Sequence, residues 1–222
     1  LTFLSDYGLA DSYVAEVKGA ILSLDPAATI VDLTHLVPAG AVASGAYLLG
    51  RACRGFPAGS VHLAVVDPGV GTARAGIVFR ASGHFFVGPD NGPFTELLDD
   101  VEGDVIALDV RGDAAPTFHG RDVFGPAAAR LLMGYPPSVL GRALGRAPVS
   151  LPHLSPFHDG PTLVGEVIHV DAFGTLGLPS AAPGAAAPAA GGRGGGGGGG
   201  APAPRAPNST QAVGLQPEVL VV

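Results

Sequence analysis

The segment Val61–Val66 is apolar at every position except His62. A strand of that kind has no face to offer water, so it belongs inside a sheet covered on both sides. The pattern also opens the chain at Leu1–Leu4 and returns at Thr29–Leu33. Between these runs the apolar residues change to helical spacing. Val14, Val17, Ile21 and Leu24 mark one face of a helix expected over Ser12–Leu24, capped by Asp11 and stopped at Asp25-Pro26. A second helix is expected over Val42–Cys53. Strand and helix in alternation define an α/β domain with a parallel-rich sheet and helices on both faces. Further strands are expected at Gly76–Arg80, His84–Val87 and Leu163–Val170, with a short helix at Phe94–Leu98 and a longer one at Asp122–Met133.

One shift in composition divides the chain. Residues 181–210 hold ten glycines, ten alanines and five prolines, including the unbroken run Gly194–Gly200. Such a stretch cannot bury enough apolar surface to offset its ordering entropy, so a linker or disordered tail is expected. Only its end, PEVLVV, offers a strand, should it find a sheet. Three regions are therefore expected: an N-terminal α/β domain over 1–150, a connector with the first part of a C-terminal β domain over 151–180, and a low-complexity tail over 181–222. The 222 residues are 47% hydrophobic, enough for a real core. Twelve Lys and Arg against nineteen Asp and Glu leave a formal charge of −7, the wrong sign for a phosphate-backbone partner. No apolar run reaches the roughly 18 residues of a membrane span, and the start LTFLSDYG carries no leader pattern. A cytoplasmic protein that meets neither membrane nor nucleic acid is expected. The single cysteine, Cys53, excludes an internal disulfide and reads as a small buried residue.

In open α/β sheets, ligands bind beyond the carboxyl ends of the strands, so the polar residues that follow each apolar run are the candidates. Asp6, in Ser5-Asp6-Tyr7-Gly8, stands between a strand and a helix, where a carboxylate suits a ribose diol or an ammonium group. Asp67-Pro68-Gly69-Val70-Gly71-Thr72-Ala73-Arg74 follows the third strand, with an acid at its head and a guanidinium at its end. Gly88-Pro89-Asp90-Asn91-Gly92 puts an acid and a carboxamide in a tight turn. Thr117-Phe118-His119-Gly120-Arg121-Asp122 places a histidine just before a helix. Any one of these segments taken alone reads as an ordinary turn. Gly69-Val70-Gly71 lacks the remainder of a phosphate loop. The other histidines, His35, His62, His84, His153, His158 and His169, have no metal-ligand spacing and read as structural or exposed, so no metal is expected.

Taken together, SDYG-x-x-D-x-Y-V-x-x-x-K-G, VVDPGVGTxR, VGPDNG and TFHGRDVFxPxAA closely resemble the S-adenosylmethionine hydroxide adenosyltransferases, relatives of the fluorinase and chlorinase enzymes. The resemblance covers residues 1 to about 176. It implies a homotrimer in which an N-terminal α/β domain joins a smaller C-terminal β-barrel, the site lying between neighbouring subunits. It also implies displacement by water or hydroxide at the ribose C5′ of S-adenosyl-L-methionine (SAM), giving adenosine and L-methionine, with SAM as substrate and no cofactor. Asp67, Arg74 and His119 match the family's Asp-Arg-His set that handles the water. Water, with a pKa near 15.7, needs a hydrogen-bonded acceptor and a nearby cation to act as a nucleophile near neutral pH. Either Asp67 or His119 could take the proton. Asp6 matches the residue at the ribose hydroxyls, Asn91 a substrate contact, and Asp171 the aspartate at the methionine amino group.

Halogenation fits less well. The head of the loop is Asp67 where the fluorinase has a tyrosine, and Gly120 stands where it has a halide-contacting serine; an ion without that hydroxyl would have little to replace its hydration. Other departures fall elsewhere in the pattern. Thr175 replaces the asparagine expected at adenine, Gly40 replaces an aromatic residue, and the Ala/Gly/Pro tail stands in place of most of the barrel. Two readings follow: an active SAM hydrolase, or a catalytically impaired relative that binds SAM or adenosine.

Overall fold

A computed structural model describes residues 1–152, 157–159, 162–178 and 219–221. Seven strands form its main sheet: β1 (Thr2–Ser5), β2 (Val31–Thr34), β3 (Val61–Val65), β4 (Gly76–Ala81), β5 (His84–Pro89), β6 (Val101–Leu108) and β7 (Gly141–Ala143). Their order is β2-β1-β3-β5-β4-β6-β7. The pairs β2–β1, β1–β3 and β3–β5 are parallel, and those beyond β5 are antiparallel. The sheet is therefore mixed rather than parallel-rich, and a short turn is the reason. Ser82 and Gly83, at φ 48° and 76°, form a two-residue reversal that pairs Ala81 with His84 and folds β4 back on β5. Two successive left-handed residues match the twist of a hairpin and leave no length for a crossover.

The helices are α1 (Tyr13–Leu24), α2 (Val42–Cys53) and α3 (Gly125–Leu132). Successive residues of a strand point to opposite faces, and here they feed two cores. Phe3, Leu63 and Val65 pack with Val17 and Ile21 of α1 and with Ala127, Ala128 and Leu131 of α3. Leu4, Ala64 and Val66 pack on the other face with Leu49 and Cys53 of α2, and with Phe79, Phe86 and Phe94. Helices thus cover both faces, as the apolar strands require. Each of the buried Val, Leu, Ile and Phe side chains among these contributes roughly 1.5–3 kcal/mol of apolar burial.

Local expectations change in five places. Ser12, not Asp11, precedes α1, and its hydroxyl donates to Glu16 Oε1 at 2.7 Å. Leu24 is 39% exposed, leaving Val17 and Ile21, with partly buried Val14, as the inward face of α1. The short helix is a 3₁₀ turn at Thr95–Asp100. The longer one is α3 preceded by a π turn, Gly120–Phe124. The strand expected over Leu163–Val170 is two strands, β9 (Thr162–Glu166) and β10 (His169–Val170).

The chain divides into two compact units, Leu1–His153 with Ile168–Gly177, and Leu154–Val167 with Leu178–Val222. In the first, β10 pairs antiparallel with β11 (Leu176–Gly177). This hairpin meets α2 through a 3.0 Å contact between Ser44 Oγ and His169 Nδ1, and Tyr47 lies 5.6 Å from the His169 ring, centroid to centroid. In the second, β8 (Phe157–Asp159), β9 and β12 (Val219–Val221) form an antiparallel sheet, so the apolar end of the chain does find a partner strand. Residues 179–218, most of the expected tail, lie outside the described residues. Among the described residues no helix is long and apolar enough to cross a membrane.

Candidate active site

Three parallel strands end side by side, and each hands a polar residue to the same edge: Asp6 after β1, Asp67 after β3 and Asn91 after β5. The loop leaving β3 then turns back to return Arg74 to Asp67. Gly71 makes this possible at φ 78°, where a Cβ would stand 2.6 Å from the Pro116 carbonyl oxygen. The Thr72 hydroxyl braces the loop by donating to the Gly69 carbonyl at 2.7 Å. Arg74 Nη2 donates to Asp67 Oδ2 at 2.6 Å, and the two side chains are 8% and 6% exposed. The same nitrogen lies 3.2 Å from His119 Nδ1, while Nη1 donates to the Ala75 carbonyl at 2.8 Å. The guanidinium stacks 5.3 Å from the centre of the Phe124 ring, on the π turn that follows His119. Arg74 is thus in direct contact with Asp67 on its own loop and with His119, 45 residues on.

A guanidinium nitrogen only donates, so His119 Nδ1 is the acceptor and the neutral imidazole carries its proton on Nε2. Burial and the Arg74 charge both push the His119 pKa down, which favours that neutral form. Burial pushes the Asp67 carboxyl up, opposed by the charge and hydrogen bond of Arg74, and pushes the guanidinium down. Three buried polar atoms here have no partner among the described residues: Asp67 Oδ1, Arg74 Nε and Asn91 Oδ1. Buried groups of this kind are paired as a rule, so the exceptions mark where a ligand or water would bind.

The other expected residues are placed as follows. Asn91 Nδ2 donates to the Val66 carbonyl at 3.0 Å, which fixes the carboxamide beside Asp67. Asp6 accepts the Gly40 amide on Oδ2 at 2.9 Å, tying the loop after β2 to the site edge. Asp171 stands apart, in the β10–β11 turn. Its Oδ1 accepts the amides of Thr175 (2.8 Å) and Phe173 (2.9 Å), which lower its pKa, and no hydrogen bond or ion pair joins it to the triad among the described residues. Asp90, the acid of the second turn, is structural: it holds Arg146 and, at 2.8 Å, the Val149 amide. His35 and His62 are buried and bonded to Ser5 and Thr2. Among the described residues no cluster of three or more metal-ligating side chains forms.

Sequence reasoning did not assign a role to Tyr7 or Phe124. Tyr7 follows Asp6 directly and packs edge-on to Phe3 and Phe118. Its hydroxyl rests where a side chain at position 120 would begin, since a Cβ on Gly120 would lie 2.1 Å away. A serine at position 120 therefore cannot enter without moving Tyr7, a steric addition to the electrostatic case against a halide site.

Similarity to known proteins agrees with this geometry. The family model described as SAM hydroxide adenosyltransferase N-terminal domain matches residues 1–141. An (R)-S-adenosyl-L-methionine hydrolase of Salinispora tropica is 44% identical over 189 residues, 80% of this chain and 70% of that protein. The crystal structure of an uncharacterized conserved protein from Thermotoga maritima superposes with TM-score 0.75 at 36% identity, covering 80% of this chain and 70% of that one. A fluorinase of Actinoplanes sp. is more distant, 30% identical over 65% of this chain and 58% of its own. The fold is that of a SAM-using class of α/β enzymes. The chain belongs to the SAM hydroxide adenosyltransferase family.

Proposed function

We propose that this chain hydrolyses S-adenosyl-L-methionine to adenosine and L-methionine. The observation that carries the proposal is the buried Asp67–Arg74–His119 contact, with Asp67 Oδ1 left as an unpaired acceptor. The water oxygen attacks C5′ of the ribose, the C5′–S bond breaks with its electron pair going to sulfur, and the sulfonium leaves as neutral methionine. The proton lost by water goes to Asp67 Oδ1. His119 is less suited to that task, because Nδ1 faces the guanidinium and Nε2 already holds a proton; it orients the water by donation instead. Arg74 stabilises the developing hydroxide while fixing the carboxylate. Attack by an anion on a sulfonium destroys charge, so a dry site favours it. Water and a sulfonium leaving group complete the reaction without a cofactor.

Asp6 binds the ribose hydroxyls through its second oxygen, Asn91 accepts a hydrogen bond from the ligand, and Asp171 takes the methionine ammonium on Oδ2. The α/β domain over 1–150 works in a cytoplasmic homotrimer, with a partial C-terminal β domain over 151–180 followed by a tail. Apolar residues on the loops around Asp6 support an assembled face: Leu9 and Leu36 are 69% and 66% exposed, and the Gly8 amide donates to the His35 carbonyl at 2.7 Å, joining the two loops.

The test is incubation of the purified chain with SAM in halide-free and chloride buffers, followed by chromatography. The named relative acts on the (R) epimer, so both sulfonium epimers are supplied. Adenosine and methionine in equal amounts in both buffers are expected; 5′-chloro-5′-deoxyadenosine in chloride would point to halogenation instead, and no product would refute turnover.

A further inference from the structure

We propose that Tyr7 and Gly120 form a ribose-recognition pair, in which the missing glycine side chain seats the phenol hydroxyl so that it donates a hydrogen bond to a ribose hydroxyl held by Asp6. The proposal rests on the reading that places a ribose at Asp6. Tyr7 is the next residue after Asp6, and its ring is caged by Phe3, Tyr13 and Phe118 at centroid distances of 6.4, 5.9 and 5.9 Å. The hydroxyl lies against the bare Cα of Gly120, where a Cβ would stand 2.1 Å from the oxygen.

That hydroxyl makes no hydrogen bond to any described residue, although the ring is partly buried. Unlike Asp67 Oδ1 it is not sealed from solvent, so it is open to a partner from outside the chain. The sign of the partner follows from its neighbours. Burial and the carboxylates of Asp6 and Asp67 keep the phenol protonated, so it serves as a donor across the working pH range. Asp6 offers only acceptors, and one of its oxygens is already taken by the Gly40 amide. A sugar hydroxyl that gives its proton to Asp6 keeps two lone pairs that need a donor. Arg74 commits both terminal nitrogens to Asp67, His119 and Ala75. Tyr7, the residue next to Asp6, brings a hydroxyl donor with no hydrogen bond among the described residues.

The test measures binding, independently of turnover. Wild type, Tyr7→Phe and Gly120→Ala are titrated by calorimetry with adenosine, 2′-deoxyadenosine and 3′-deoxyadenosine. Tyr7→Phe removes one hydroxyl and leaves the aromatic cage. It should weaken adenosine about 2- to 10-fold, the worth of one neutral hydrogen bond, and leave unchanged the binding of whichever deoxynucleoside lacks the contacted hydroxyl. Gly120→Ala, which displaces the phenol, should reproduce the same selectivity, and the double variant should lose no more than either single one. Equal loss on all three nucleosides, no loss on adenosine, or no adenosine binding by wild type would overturn the proposal. Should the selectivity appear in a chain that fails to convert SAM, the hydrolase reading falls and the recognition pair stands.

Discussion

Replacing Arg74 by methionine removes the charged side-chain partner of a carboxylate that has almost no access to water, leaving it the Gly69 amide. The Asp67 side chain is 6% exposed; Oδ2 is held by Arg74 at 2.6 Å, and Oδ1 has no partner. Removing one member of a buried ion pair costs about 3–5 kcal/mol because the other charge stays behind uncompensated. For a domain of this size that corresponds to a fall of roughly 6–20 °C in Tm. The loss should depend on pH in a definite direction. Burial already raises the Asp67 pKa in the folded chain, and without the arginine it rises further. A group with a raised folded pKa is tolerated below its unfolded value and becomes unfavourable as pH climbs through the folded one. The Arg74→Met penalty should therefore be largest near pH 8 and shrink toward pH 4, when compared with wild type at each pH. Urea unfolding at several pH values measures it. Asp67→Asn in the same chain should restore most of the stability, since no charge is then buried, while adenosine formation stays lost in both. A penalty under about 1 kcal/mol, the value of an exposed pair, or one that grows as pH falls, would refute the description of Asp67 as a buried, arginine-dependent carboxylate.

Three other outcomes are expected. If Asp67 takes the proton, Asp67→Asn should lower kcat by about 10²- to 10⁴-fold, and His119→Gln, which keeps a donor for the water, should lose less; the reverse order would make His119 the base. Gly71→Ala should reduce kcat and destabilise the chain by roughly 1–3 kcal/mol, because a left-handed alanine at φ 78° would drive its Cβ to 2.6 Å from the Pro116 carbonyl; calorimetry and turnover check it together. At the far end of the sheet, burial holds the His62 pKa down to about 4, so its neutral form is favoured in the folded chain and stability should fall as pH drops from 6.5 toward 4. The fall should reach about 3 kcal/mol at 1.36 kcal/mol per pKa unit, and His62→Phe should flatten that part of the unfolding profile.

The elements that sequence patterning located are those whose own residues decide their structure. Val42–Cys53 agrees to the residue, and β1 and β3 to within one, because burial on both faces writes a continuous apolar run. The strand β6 left no such mark. Its sequence VEGDVIAL is polar in its first half and buries only Ile106 and Leu108, so the pattern marks no strand there and β4 supplies the partner that makes one. The three residues of β7 carry no signal of their own; they are a strand because Arg142 pairs with Ala107. Mixed topology was hidden for the same reason: strand direction beyond β5 hangs on Ser82-Gly83, two residues whose left-handed conformation composition alone does not specify.

The site divides along the same line. Asp67 and Arg74 were legible because one loop carries both, and a seven-residue return is set by its glycines. His119 could be named as a candidate, but its role depends on which nitrogen faces the guanidinium, and that is decided by a contact across 45 residues. Asp90 shows the converse, an acid in a tight turn after a strand whose carboxylate is spent on Arg146 and the Val149 amide. Tyr7 and Gly120 are the hardest case, since neither residue is unusual alone and their relation is the absence of one carbon. A glycine at position 120 records what is missing for a halide, but only the packing of Tyr7 shows what occupies the space. On the proposed recognition pair, residue 120 acts through the phenol it admits, and the Gly120→Ala titration tests that relation.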